Sequence, residues 1–159
     1  MPKGLLLIDS SIMLEYLQVP GKCNKNAVIP KQFDKLMASG EYTLYLPVAT
    51  VFETGRHISQ LKKEDGNKRR KIAEYFIKRV KMAIEGRTPF KTLDWEAAEM
   101  SEWLDSYPDF AQAGISLGDL SIIKQFEKLC DESPQDLPIK IWSTDKHLAS
   151  YQRNWKEEE

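Results

Sequence analysis

Cysteine is nearly absent from this chain. Cys23 and Cys130 are the only two among 159 residues, too few for a disulfide framework or a four-thiolate zinc site, and a reducing cytoplasm is the expected setting. Long apolar runs are missing as well. Nothing approaches the roughly 18 residues that a membrane span requires. The run Leu5-Leu6-Leu7-Ile8 near the N-terminus is too short for the apolar region of a secretory signal. Internal repeats, low-complexity tracts and a Pro/Gly-rich linker are all lacking. That leaves one domain, expected over residues 1–152, with a charged tail over 153–159. What is present suffices for a core: 42% of the residues are hydrophobic, which excludes a mostly disordered chain.

Net charge is also almost absent, at −1, but the balance is uneven. Between residues 62 and 91 stand 11 basic side chains against four acidic ones, a local +7 that leaves −8 for the rest of the chain. The densest part is Lys68-Arg69-Arg70-Lys71. Such a segment fits either a solvated helix face or a surface for a polyanion such as RNA.

Hydrophobic spacing alternates strands with helices. The all-apolar Leu5-Leu6-Leu7-Ile8 reads as a strand buried on both faces. The segment 31–39 reads as a helix with Phe33, Leu36 and Met37 inward. Residues 42–46 read as a strand closed by Pro47. A helix over 47–62 would bury Val48, Val51, Phe52 and Ile58. After a turn at Asp65-Gly66-Asn67, residues 68–85 form a basic amphipathic helix with Ile72, Tyr75, Phe76, Val80 and Ile84 inward. A short strand at 90–93 and an Asp94 N-cap lead to a helix from Trp95 with Ala98, Met100 and Leu104 inward. A loop carrying Pro108 and Gly114 precedes a helix opened by Gly118-Asp119. A last strand at 139–143 and a helix at 145–151 complete the pattern. Alternation of this kind implies a parallel sheet with helices on both faces.

In such a sheet, ligands collect at the carboxyl ends of the strands. Asp9 ends the first strand, and Asp145 follows the last. Glu53 lies two turns into the helix after the second strand, and Asp119 lies in the first turn of its helix. Like charges gathered there repel in a low-dielectric pocket unless some are protonated or a cation neutralises them. An all-oxygen donor set favours Mg²⁺ or Mn²⁺. Each residue also has a plainer reading. Asp is a preferred N-cap, and Glu53 can pair with Arg56 or His57 at helical spacing. Arg56 suits a substrate phosphate equally well. His57 and His147 offer the acid–base pair of a metal-free ribonuclease. The tryptophans, Trp95, Trp103, Trp142 and Trp155, fall mostly at core spacing.

Four local sequences carry a family likeness: Leu6-Leu7-Ile8-Asp9-Ser10-Ser11, Val51-Phe52-Glu53-Thr54-Gly55-Arg56, Gly118-Asp119-Leu120-Ser121-Ile122-Ile123 and Trp142-Ser143-Thr144-Asp145-Lys146-His147-Leu148. In order and spacing they resemble the PIN domains, metal-dependent nucleases of which many are toxins of bacterial toxin–antitoxin pairs (the VapC type). The resemblance runs from residue 5 to about 151. It implies an α/β fold, a three-layer α/β/α sandwich around a mostly parallel sheet. It implies an endoribonuclease using Mg²⁺ or Mn²⁺, with Asp9, Glu53, Asp119 and Asp145 as the catalytic, metal-holding acids. Supporting hydroxyls would be Ser10 and Ser143, the latter standing where the family usually has Thr. Arg56, Lys68, Arg69, Arg70 and Lys71 become candidate contacts to an RNA substrate. An antitoxin protein and a second copy of the chain are candidate partners. Residues 62–86 are longer and more basic than in the small toxin members. The alternative is a non-catalytic module on the same fold that binds nucleic acid or protein. An aspartate-based phosphotransfer domain fits poorly, because Ser10-Ser11 follows Asp9 where that chemistry wants further acids.

Overall fold

In chain order the elements are β1 (Gly4–Ile8), α1 (Ser10–Tyr16), α2 (Val28–Ser39), β2 (Tyr42–Pro47), α3 (Val48–Ser59), α4 (Gly66–Ile84), β3 (Phe90–Leu93), α5 (Ala97–Gln112), α6 (Leu117–Glu132), β4 (Ile139–Trp142), α7 (Lys146–Ala149) and β5 (Gln152–Arg153). This computed structural model describes residues 1–24, 28–62, 66–87, 89–94 and 96–157. All of β1 is buried, as befits a strand with layers on both faces. It sits at the centre of a sheet ordered β3-β2-β1-β4-β5. β1, β2, β3 and β4 are mutually parallel, and β5 pairs antiparallel with β4 at the edge.

Pleating divides the core between the two faces. Leu6 and Ile8 join Ile12, Phe33, Leu44, Leu46, Phe76 and Phe90 on one side, beneath α1, α2 and α4. Leu5 and Leu7 join Ile122, Ile123, Phe126, Ile139 and Ile141 on the other, beneath α6. The molecule is thus a three-layer α/β/α sandwich around a mostly parallel sheet. Phe33 anchors the first face: its ring lies 4.0 Å from that of Tyr16, 5.6 Å from Trp142 and 6.0 Å from Phe90. Aromatic contacts of this kind add to plain area burial.

Several local expectations give way to tertiary context. Pro108 lies inside α5 rather than in a loop. It and Leu104 are both exposed, so the carbonyl that Pro108 leaves without a donor faces water. Asp94 caps nothing, since α5 begins at Ala97 with Glu96 at its N-cap. Trp95 lies outside the described residues. The turn expected at 65–67 is instead the start of α4, at Gly66 and Asn67, and Asp65 is also outside the described residues.

Phe52, Ile84 and Leu104 are exposed, at 73%, 67% and 45%, and Trp103 takes the buried place on α5. Tyr75 is exposed as well. Its hydroxyl nevertheless meets that of Tyr16 at 3.1 Å, and the Arg79 guanidinium donates to both, at 2.8 Å to Tyr16 and 2.7 Å to Tyr75. One cation thereby joins α4 to α1. Burial, ahead of the other contacts, holds the Tyr16 phenol well above its ordinary range. The bond from Tyr16 lowers that of Tyr75.

The boundary expected at residue 152 passes through β5. Arg153 donates to the carbonyls of Cys130, Pro134 and Leu137, and Trp155 packs on the core beside Tyr42. Gly4 explains why β1 opens without a side chain: a Cβ there would lie 2.9 Å from the Trp155 ring. Among the described residues no helix is long and apolar enough to cross a membrane.

Candidate active site

Parallel pairing brings Ile8, Pro47, Leu93 and Trp142 to the same edge of the sheet. Asp9 follows directly and is only 6% exposed. Its amide donates to Trp142 at 3.0 Å, so the turn into α1 is pinned to the end of β4. Asp9 occupies the N-cap position of α1, yet its side chain makes no capping bond. Both hydroxyls that reach it converge on Oδ2, Ser11 at 2.7 Å and Ser143 at 2.7 Å. The Ser11 oxygen also accepts from the Thr144 amide at 3.0 Å. Within this turn the hydroxyl bonded to Asp9 is that of Ser11, the residue after the expected Ser10.

Asp119 enters from α6. Its amide donates to Ser116 Oγ at 3.1 Å, and Ser116 is the N-cap. Ser-Leu-Gly-Asp carries an ordinary capping signature, which the reading from Gly118 passes over. The start of α6 lies close to α3, where a Cβ on Gly118 would stand 3.8 Å from Ala49. α3 is in turn tied to β1 by the Thr50 hydroxyl, which donates to the Ile8 carbonyl at 2.6 Å. Burial raises the Asp119 carboxyl above its ordinary value, and the charges of Asp9, Asp145 and Glu53 raise it further. Carboxylates from separate elements thus act on one another at this edge.

Glu53 and Asp145 are otherwise engaged. Glu53 Oε1 accepts from Arg56 at 2.6 Å and faces His57 Nε2 at 3.1 Å. The Arg56 bond, ahead of burial and the remaining charges, holds the Glu53 carboxyl below its ordinary value. Asp145 is exposed and caps α7, accepting from the Leu148 amide at 3.0 Å. Among the described residues no three acidic, histidine or cysteine side chains already form a ligand cage. The donors themselves still suit a hard cation. They are carboxylates and hydroxyls, with a half-buried acid whose charge is opposed by its neighbours.

The remaining candidates are spread out. His57 is bound to Glu53, and its Nδ1 is buried without a hydrogen-bond partner among the described residues. His147, on α7, meets the Tyr151 ring edge-on at 5.5 Å. In the basic run of α4, Lys68, Arg70 and Lys71 are exposed, and Arg70 pairs with Glu74 at 3.0 Å. Arg69 turns inward to the Leu61 carbonyl, so the outer basic face lacks it.

No protein-family model and no curated protein matches this sequence. Among solved structures, a chain of the VapBC2 complex from Rickettsia felis, bound to a DNA fragment from its promoter, covers 87% of this chain and 99% of its own length, with a TM-score of 0.50 and 14% identity. At that identity the likeness is one of fold, and the fold it shares is the α/β/α sandwich described above.

Proposed function

We propose that this protein is a Mg²⁺- or Mn²⁺-dependent ribonuclease of PIN type, acting through Asp9, Glu53, Asp119 and Asp145. The observation that carries the reading is the nearly buried Asp9 at the carboxyl end of β1, with Asp119 of α6 near enough that burial and the charges of Asp9, Asp145 and Glu53 raise its carboxyl. Strain of that kind is what a bound cation relieves. The likeness to a chain of a VapBC complex supports the same reading and adds an antitoxin as the expected protein partner.

The four acids would hold the ion, which when bound activates water, polarises the phosphoryl group and steadies the leaving alkoxide. Ser11 and Ser143 orient Asp9 by donating to one of its oxygens, Oδ2. Asp145 keeps one oxygen on the α7 backbone. Arg56 holds Glu53 until substrate arrives, and its guanidinium then suits the incoming phosphate. Lys68 and Lys71 stand on the exposed face of α4, where a strand's backbone can be drawn in by charge.

Purified protein is expected to cleave single-stranded RNA in Mg²⁺ or Mn²⁺ and to be silent in excess EDTA. Asp9→Asn, Glu53→Gln, Asp119→Asn and Asp145→Asn should each lose cleavage. Undiminished cleavage in EDTA overturns the metal mechanism and turns attention to His57 and His147.

A further inference from the structure

Phe52 faces solvent from the middle of α3, although the spacing of apolar residues there places it inward. After Met1 it is the most exposed large apolar side chain among the described residues, and it belongs to neither core cluster. A single apolar side chain on a surface needs no partner in general. What distinguishes Phe52 is the company it keeps.

Phe52 directly precedes Glu53. At 3.6 residues per turn, Arg56 lies roughly 60° round the helix from Glu53, and Phe52 roughly 40° beyond Arg56. A carboxylate of the candidate site, a guanidinium and an aromatic ring thus follow one another across one exposed face of α3. The Arg56 guanidinium is more than half exposed and reaches back to Glu53 Oε1 at 2.6 Å. Phe52 and Arg56, four residues apart, are surface neighbours with about 6 Å between their Cβ atoms. On the other flank of Phe52, three residues on, stands Gly55. It lies within regular helix, and a Cβ there would meet nothing within 4 Å. Alanine would favour the helix more. What glycine provides is bare backbone beside the ring, where a flat group can lie.

Single-stranded nucleic acid is held by this combination, an aromatic face for a base and a cation for the backbone beside it. Resting on the ribonuclease reading, we infer that Phe52 is the stacking platform for one base of the RNA substrate, with Arg56 taking the adjoining phosphate.

The test uses the full chain and fluorescein-labelled tetraadenylate in EDTA, so that nothing is cleaved, with binding read by anisotropy. Phe52→Ala should weaken binding about tenfold, the worth of one base stack. It should leave the slope of log K against log salt unchanged, because no phosphate contact is lost. Gly55→Leu should also weaken binding, by filling the bare flank, while its melting temperature stays at or above that of the wild type. The oligomer is then made abasic at each position in turn. At one position wild type and Phe52→Ala should bind alike, since the stacked base is gone. At the others the tenfold difference should persist.

Wild-type affinity in both variants, a difference that no abasic position removes, or failure of the wild type to bind overturns the assignment. So does a lower sedimentation coefficient for Phe52→Ala, since a second copy of the chain then covers the ring. Asp9→Asn keeps the two ideas apart: it should lose cleavage in Mn²⁺, while adding Phe52→Ala to it should give the same tenfold difference in binding. Cleavage retained in Asp9→Asn sinks the ribonuclease site and leaves the abasic series to judge the platform.

Discussion

The environment of each carboxylate, rather than its identity, separates the roles of the acidic residues. Asp9 and Asp145 both sit at N-cap positions, but only Asp145 caps. Asp9 instead accepts two hydroxyls on one oxygen. Ser143→Ala and Ser11→Ala should therefore each lower cleavage by about 10- to 100-fold, the usual effect of losing a group that orients a ligand. Ser10→Ala should leave the rate near wild type. Cleavage assays on the three variants decide whether Ser10 or Ser11 supports Asp9.

Asp119 carries a stability prediction. Its folded pKa lies above the unfolded one, so its contribution favours folding at low pH and is lost as pH rises through the folded value. In EDTA at neutral pH, Asp119→Asn should melt higher than the wild type, and the gain should shrink on acidification. Glu53 has the opposite sign: its pairing with Arg56 favours folding at neutral pH and is lost in acid. Titration by NMR should find the Glu53 carboxyl moved back up in Arg56→Ala.

Among the elements, α4 departs furthest from its sequence. Its pattern of apolar residues and charge is correct for an amphipathic helix, and Phe76 is buried as expected, but Ala83 takes the buried place expected of Ile84. The basic run, however, does not act as a block. Lys68 and Lys71 face outward, while Arg69 donates to the Leu61 carbonyl, just beyond the C-cap of α3. Lys68→Gln and Lys71→Gln should each reduce the salt slope of RNA binding by about 0.7 if each meets a phosphate. Arg69→Gln should leave that slope alone and destabilise the fold by about 1 kcal/mol, since it unmakes a charged bond to backbone. Salt-dependent binding and thermal melting measure the two effects separately.

At the scale of the molecule, the two chain ends close the structure together. β1 opens at Gly4, over which the Trp155 ring lies, with the Tyr42 ring and the Pro138 carbonyl alongside. Gly4→Ala should overpack this corner at a cost of about 1–3 kcal/mol, lowering the melting temperature by roughly 2–4 °C per kcal/mol for a chain of this size. A melting curve within a degree of the wild type would mean that Trp155 moves aside freely.

The sequence alone determined what repeats along the chain. The uninterrupted apolar run of β1 marks a strand covered on both faces, and the alternation of strands with amphipathic helices marks a parallel sheet between two helical layers. It also led to the expectation that Asp9, Glu53, Asp119 and Asp145 gather at the carboxyl ends of the strands, since each lies just after a strand or in the first two turns of a helix. Local pattern could not tell which of these acids meets which partner. That Ser11 and Ser143 both donate to the same oxygen of Asp9 depends on the turn of α1 and on the loop that stands opposite. Nor could local pattern reveal Lys140 over the Trp155 ring, since that contact needs β5 and the C-terminal segment to fold back on β4. Such contacts join residues distant in the chain, and only the packed tertiary structure sets their separation.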